Sequence, residues 1–354
     1  MNAVIVVPSL KISGGNREAL RLASDLSQDG NTASMLSLWV SPHEMDSSIK
    51  VTYLSSWPTR IARACFELPV LAFRFAQWWR ISAHRDSTVV FTHYTTLPLA
   101  FLIPRRQRFV FVQGVEWNFV DNKIFSCLLR HIVLGIYRTG RIISANSYLS
   151  QRLQAEGVKV AFEAPIWADA AFSAADAPEQ NIEFAMVLAK ASLKRLDLYL
   201  DFIGLASAHH MRIAVITPEE EIVTQVCDKV DEVLLRPSIA QMREIYSRSV
   251  CFIHLSDHEG FGLPPLEAMA AGCIPVCRDS GGVRAFMCDG PCPDLLLPMS
   301  MNIVEIHTRA LAVVCDPQRV QRRVAVRAYF EQGLIRCGQI RNELFATMLN
   351  QSCQ

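Results

Sequence analysis

The chain has 354 residues, 51% of them hydrophobic and 19% charged, which excludes a disordered or low-complexity protein. Lys and Arg total 35 against 34 Asp and Glu, a formal charge of +1, which excludes a nucleic-acid binder with a general basic footprint. At about 100–200 residues per domain, the length predicts two domains.

The opening MNAVIVVP has neither a basic n-region nor a cleavable apolar core, so no signal peptide is expected. The longest apolar stretch, Ala62 to Trp79, is interrupted by Arg63, Glu67 and Arg74 and does not read as a membrane span. A cytoplasmic protein is expected, and its 11 Cys read as reduced thiols. Cys273, Cys277, Cys288 and Cys292 form two C-x3-C pairs, but CIPVC reads as a buried strand, which disfavours zinc.

Strands are predicted at Ala3–Val7, Ser34–Val40, Thr88–Thr92, Phe109–Gln113 and Arg141–Ala145. A second series follows at Glu183–Ala189, Met211–Ile216, Glu232–Leu235, Val250–Leu255 and Cys273–Cys277. Most are continuous apolar runs, as parallel strands covered on both faces require. Helices are predicted between them, among them Asn16–Gln28, Ser147–Glu156, Ile239–Ser247 and Pro265–Ala271. The rhythm predicts an α/β protein of two Rossmann-like, doubly wound parallel-sheet domains facing a cleft. Glu163 to Gln180, rich in Ala, Asp and Pro, reads as the connection. The expected domains are 1–165 and 166–335, with a helix, 336–354, packing back on the first. Ligands are expected at the carboxyl ends of the strands.

The strongest motif is His258-Glu259-Gly260-Phe261-Gly262-Leu263-Pro264-Pro265-Leu266-Glu267, placed after a strand and opening a helix at Pro264 or Pro265. The N–H groups of Phe261, Gly262 and Leu263 would point out of a helix N-terminus, a favourable place for a phosphate. Glu259 precedes the helix and Glu267 lies one turn inside it, so the two carboxylates reach different parts of one ligand. In isolation this spacing would be a strand–loop–helix turn with solvated glutamates.

The string EGFGLPPLEAMAAGCIPV resembles the E-x7-E signature of retaining glycosyltransferases of the GT-B fold, family 4 (glycosyl transferases group 1). The resemblance implies that Glu259 contacts the donor sugar, Glu267 the ribose, and the backbone of Phe261, Gly262 and Leu263 the diphosphate. It also implies a site that needs no metal ion or other cofactor, in keeping with the absence of any Asp-x-Asp from the chain. Same-face attack assisted by the leaving phosphate would make a dedicated base unnecessary. Such enzymes carry Arg and then Lys about five residues on, both at the diphosphate. Here Lys194 matches the Lys, Lys190 is the candidate for the Arg position, one residue short, and Arg195 competes with it. Ile12-Ser13-Gly14-Gly15-Asn16 resembles the N-terminal glycine loop, bringing Gly14 and Gly15 to the donor. Many relatives have His-Gly after a later strand, where this chain has Gln113-Gly114. Gln113 can hydrogen-bond a sugar but cannot titrate. His93, which ends the preceding strand, reads equally as a cleft residue or a structural one. Asp279-Ser280-Gly281-Gly282 resembles the glycine pair near the donor sugar, but the acid usual three residues after the second glycine is Ala285 here.

Residues 57–108 carry Arg60, Arg63, Arg74, Arg80, Arg85, Arg105, Arg106 and Arg108 against Glu67 and Asp86. They are interleaved with Trp57, Phe66, Phe73, Phe75, Trp78 and Trp79, which suits an anionic membrane surface. A helix packed on the sheet with solvated arginines would read the same way. The sequence therefore predicts a hexosyl- or deoxyhexosyltransferase with a nucleotide-sugar donor and a glycan or lipid-linked acceptor, and no nucleic-acid partner. It is expected to work peripherally at the inner face of the cytoplasmic membrane, in cell-surface polysaccharide or lipopolysaccharide biosynthesis. A non-catalytic glycan-binding or scaffold module and a sugar-nucleotide epimerase share the fold and are the alternatives.

Overall fold

The computed structural model describes residues 2–10, 14–27, 32–40, 49–55, 61–81, 87–120, 122–174 and 178–352. The chain divides into two compact units, Met1–Ile166 with Gln339–Gln354, and Trp167–Gly338.

The first unit is built on β1 (Asn2–Val7), β2 (Thr32–Ser37), β3 (Val51–Tyr53), β4 (Thr88–Phe91), β5 (Arg108–Val112), β6 (Arg141–Ser144) and β7 (Val160–Glu163). They form one sheet in the order β3-β2-β1-β4-β5-β6-β7 with every pair parallel. β1, β4 and β5 are buried almost end to end, which is why they read as continuous apolar runs. Helices α1 (Gly14–Leu26), α2 (Ile61–Ile81), α3 (Leu97–Ala100), α4 (Lys123–Tyr137) and α5 (Ser147–Ala155) connect them. Asn122 and Asn146 cap α4 and α5, each side chain accepting backbone N–H groups of the first turn.

The second unit carries β8 (Ile182–Val187), β9 (Ile213–Thr217), β10 (Glu232–Leu235), β11 (Ser249–His254), β12 (Ile274–Arg278) and β13 (Leu296–Leu297) in the order β10-β9-β8-β11-β12-β13, all parallel. Its helices are α6 (Leu196–Ala208), α7 (Glu220–Val226), α8 (Ile239–Arg248), α9 (Leu263–Ala270), α10 (Arg284–Met287) and α11 (Ile303–Val314), with the first part of α12 (Arg319–Ser352). Capping boxes at Ser238 and Asn302 fix the starts of α8 and α11. Phe184 meets Phe202 edge-on at 5.1 Å and Tyr246 meets Phe252 at 5.5 Å, filling the space between sheet and helices.

The expected strands are present, with ends shifted by at most three residues. Three more were not expected: β3, β7 and β13. β3 and β13 have three and two residues, and β7 alternates half-buried with exposed positions, so none shows an apolar run. The basic-aromatic segment is not one exposed face. Phe75 is fully buried against Phe91 and Trp78, and Arg108 is buried with its guanidinium on the Ala100 and Thr139 carbonyls. Trp57, Arg60, Arg85 and Asp86 lie outside the described residues, as do Ile12 and Ser13. No described helix is long and apolar enough to cross a membrane.

In the first unit Arg341 of α12 is buried, with Nη1 3.5 Å from Glu18 Oε2 and Nη2 2.8 Å from Asp25 Oδ2 on α1. Glu18 is itself 5% exposed. Truncating one partner of a buried ion pair leaves an uncompensated charge at a cost of about 3–5 kcal/mol. Arg341→Met is therefore expected to lower stability by several kcal/mol in urea unfolding, and Glu18→Gln in the same chain to recover part of the loss. Additive destabilisation by the two changes would contradict the pairing.

Candidate functional site

In a doubly wound sheet, ligands bind at the carboxyl ends of the strands where the order reverses. In the second unit that point lies between β8 and β11, and the segments that follow these two strands hold Lys190–Arg195 and His258–Leu263.

The loop after β11 is held by the loop after β12. Glu259 N–H donates to Ser280 O at 2.9 Å and Gly282 N–H to Glu259 O at 3.2 Å, and Glu259 bridges Gly281. This contact needs glycine. A Cβ on Gly282 would stand 2.5 Å from the backbone of Gly260 and Phe261. Gly262 caps α9 at φ 91°, in the left-handed region, and a Cβ there would meet Val283 at 2.7 Å. The Phe261 ring packs on Trp167 and Phe286, so only its backbone is presented. Pro264, at the second position of α9, has no N–H to satisfy. Among the described residues no acceptor meets the N–H groups of Phe261, Gly262 and Leu263. They form the N-terminal turn of α9, where backbone dipoles favour an anion.

The loop after β8 is tied to the same place. Asp257 N–H donates to Leu193 O at 2.8 Å, and the Asp257 carboxylate accepts from Arg195 Nη1 at 3.1 Å and from Arg278 Nη1 at 2.7 Å. A 3-10 turn, Ser192–Lys194, followed by left-handed Arg195 then delivers Lys194 Nζ to Glu259 Oε1 at 2.5 Å. Burial, the largest single effect, would raise the Glu259 carboxyl, but the Lys194 ammonium, with smaller help from His254 and a Ser256 hydrogen bond, holds the group below its ordinary value. Lys194 has three N–H donors and the Glu259 contact uses one.

His254, at the end of β11, was not singled out from the sequence. It is 3% exposed, its Nε2 lies 3.5 Å from Glu259 Oε1, and burial pushes its pKa down to about 4, so it is neutral near pH 7. The available signal was a histidine inside an otherwise apolar strand. Glu267 is buried on the second turn of α9. Lys190 does not join the cluster: its ammonium pairs with Glu221 on α7 at 3.1 Å. Arg195 is committed to Asp197 and Asp257. Arg284 pairs with Asp279 at 2.5 Å, beside Ala285.

In the first unit Gly14 and Gly15 open α1 after β1, and Gln113 follows β5. Gln113 Oε1 is buried without a hydrogen-bond partner among the described residues, 3.1 Å from where a Cβ on Gly15 would stand. Glycine thus leaves room for the amide. His93 is structural in its contacts. It caps the 3-10 turn Tyr94–Thr96, its Nδ1 accepting from Thr95 N–H, and burial pushes its pKa down to about 4. Glu116, also overlooked, is buried beside Gln113 in sequence. It accepts from Tyr94 N–H at 2.9 Å and from Tyr137 Oη–H at 2.8 Å. Burial raises its pKa to about 7 against the lowering effect of those bonds.

Residues 176–322 match the family described as Glycosyl transferases group 1. That match spans most of the second unit, which resembles a group 1 glycosyltransferase domain. Over 102 residues the chain is 44% identical to the GDP-mannose:cellobiosyl-diphosphopolyprenol alpha-mannosyltransferase of Xanthomonas oryzae pv. oryzae, a match covering 29% of this chain and 27% of that relative's own length. Sucrose-phosphate synthase from Thermosynechococcus elongatus superposes with a TM-score of 0.75 at 14% identity, over 98% of this chain and 99% of that one. HepE of Anabaena, solved with UDP and glucose, gives 0.73 at 13% identity over 98% and 100%. At such identities the likeness establishes the fold alone, GT-B with its two parallel-sheet units.

Glu116 makes a pH prediction. The folded state keeps its proton up to about pH 7, whereas the unfolded chain releases it near 4.5. Its contribution to stability is therefore full below 4.5 and lost as pH rises through 7. Glu116→Gln removes this loss, so its stability relative to wild type should climb between pH 5 and 7.5 by up to about 3 kcal/mol. Urea midpoints at four pH values measure it. A constant difference would show that Glu116 is ionised in the fold.

Proposed function

We propose that this chain is a retaining glycosyltransferase that moves a hexose or deoxyhexose from a nucleotide-diphosphate sugar to a glycan or lipid-linked acceptor, in cell-surface polysaccharide or lipopolysaccharide biosynthesis. One observation carries the reading. Lys194, held on Glu259, stands with the unanswered N–H groups of Phe261, Gly262 and Leu263 in the loops after β8 and β11. An ammonium and a helix N-terminus neutralise a diphosphate, and an ionised carboxylate accepts from sugar hydroxyls. Glu267 is assigned to the ribose and Gly281 and Gly282 to the wall of the sugar pocket, and in the first unit Gly14, Gly15 and Gln113 are assigned to substrate contact.

In the reaction the bond from the sugar's anomeric carbon to the diphosphate oxygen breaks, and the leaving charge falls on Lys194 and the amides. The acceptor oxygen bonds to the same face, and its proton passes to the leaving phosphate. The names of the similar proteins support such a donor without choosing its base, GDP in one and UDP in the other. The site of action proposed is the inner face of the cytoplasmic membrane, where lipid-linked acceptors are presented.

Hydrogen bonds from ribose hydroxyls to a carboxylate are worth about 1.5–3 kcal/mol. Glu267→Ala should thus weaken nucleoside-diphosphate binding about 10- to 100-fold in calorimetry with UDP, GDP and dTDP. An unchanged dissociation constant in a folded variant would remove the ribose assignment. Turnover with the donor so identified should persist in EDTA, with the product anomer unchanged by NMR. Loss of activity on chelation, restored by magnesium or manganese, would refute the metal-free reading.

A further inference from the structure

Helix α4, KIFSCLLRHIVLGIY, carries apolar residues on both of its faces, with Lys123, Ser126, Arg130 and His131 interspersed. Leu129, Val133, Leu134, Ile136 and Tyr137 are buried on the sheet side. On the other side Ile124 is 84% exposed, and Phe125, Leu128 and Ile132 are each more than half exposed. A surface helix normally turns polar residues outward, and one that is apolar all round is normally enclosed. Here the outer half is covered by none of the described residues. Ile124, Leu128, Ile132 and Gly135 follow the helical spacing of a single stripe, which runs on to Arg138.

At the Arg138 end lies an open groove of about 600 Å³ into which Arg105, Arg106, Arg138, Arg141 and Lys159 converge, with no carboxylate among its lining residues. Side chain to backbone bonds keep these like charges together: Arg105 Nε donates to Thr139 O at 3.0 Å and Arg141 Nη1 to Arg106 O at 3.3 Å. Exposed Phe101 is linked to it through Arg108, which lies 5.6 Å from the Phe101 ring and bonds the groove residue Thr139. Helix α4 itself contains no acid.

We propose that this face of the first unit docks on an anionic phospholipid bilayer. Ile124, Phe125, Leu128 and Ile132 enter the interface, and the groove receives lipid phosphates. Charge selects this occupant. An apolar stripe running into a cation-only groove complements a surface that is apolar beneath and anionic above. A second copy related by a twofold axis would set such a stripe on its own image and gain no opposite charge. The inference rests on the proposed lipid-linked acceptor only for its purpose, and it places membrane contact on α4 and the groove at its Arg138 end.

The test is co-sedimentation of the full chain with vesicles of phosphatidylcholine alone or with 30% phosphatidylglycerol, as a composition of about one anionic lipid in three matches an anionic leaflet. Wild type should pellet with the anionic vesicles. Ile124→Ser with Leu128→Ser should abolish the binding that survives high salt. Arg106→Ser with Lys159→Ser should weaken anionic binding by about five-fold per charge removed. Both variants should keep wild-type circular dichroism and nucleotide affinity. Nucleotide binding lost with vesicle binding intact would sink the transferase reading and leave docking standing. Equal pelleting of wild type and variants would overturn the docking. So would abolition of wild-type pelleting by millimolar inorganic phosphate, which would make the groove a soluble-phosphate site. A dimer in sedimentation velocity that Ile124→Ser with Leu128→Ser dissolves, without vesicle binding, would give the stripe to a second copy.

Discussion

The ammonium of Lys194 on the carboxylate of Glu259 organises the second unit's site, and most of the surrounding geometry serves to bring these two groups together. They come from different loops, 65 residues apart in the chain. Side chains of such length meet at 2.5 Å only if both backbones are held. Asp257 does this for the loop after β8, through its own N–H and through a carboxylate shared by Arg195 and Arg278. The exchange between Glu259, Ser280 and Gly282 does it for the loop after β11. Each device sets where the ligand-facing atoms stand.

The electrostatics follow from the same pair. A buried carboxylate next to an apolar strand would take up a proton, and an uncharged Glu259 would be a weaker acceptor. Lys194 prevents this, and His254 stays neutral because its buried ring has no room for solvent. The first unit does the reverse. Glu116 has only neutral donors, a backbone amide and a phenol, and its proton is correspondingly hard to remove. Two buried glutamates thus differ in acidity because one faces an ammonium and the other does not.

Much of this was legible in the chain. Central strands such as β1, β5 and β11 announce themselves by unbroken apolar runs, and the string from His258 to Glu267 by its glycines and prolines. The edges β3, β7 and β13 were silent because a short or half-exposed strand carries no period. Linear spacing also ranked Lys190 beside Lys194, whereas the 3-10 turn and the left-handed Arg195 direct only the latter inward. Glu116 and His254 acquire meaning from burial alone, which a sequence does not display. The outer face of α4 was hidden for the opposite reason: apolar residues all round a helix look like core until the structure shows half of them uncovered.

Gly262 and Gly282 sit in one loop pair but are not equally replaceable. What blocks a side chain at 262 is Val283, another side chain, and a smaller residue there would clear the space, leaving only the cost of a positive φ. What blocks one at 282 is the main chain of Gly260 and Phe261, which no exchange elsewhere can trim. A directed-evolution campaign on this pocket can therefore reach new residues at 262 by paired changes, through an intermediate at 283, while position 282 closes every path that passes through it.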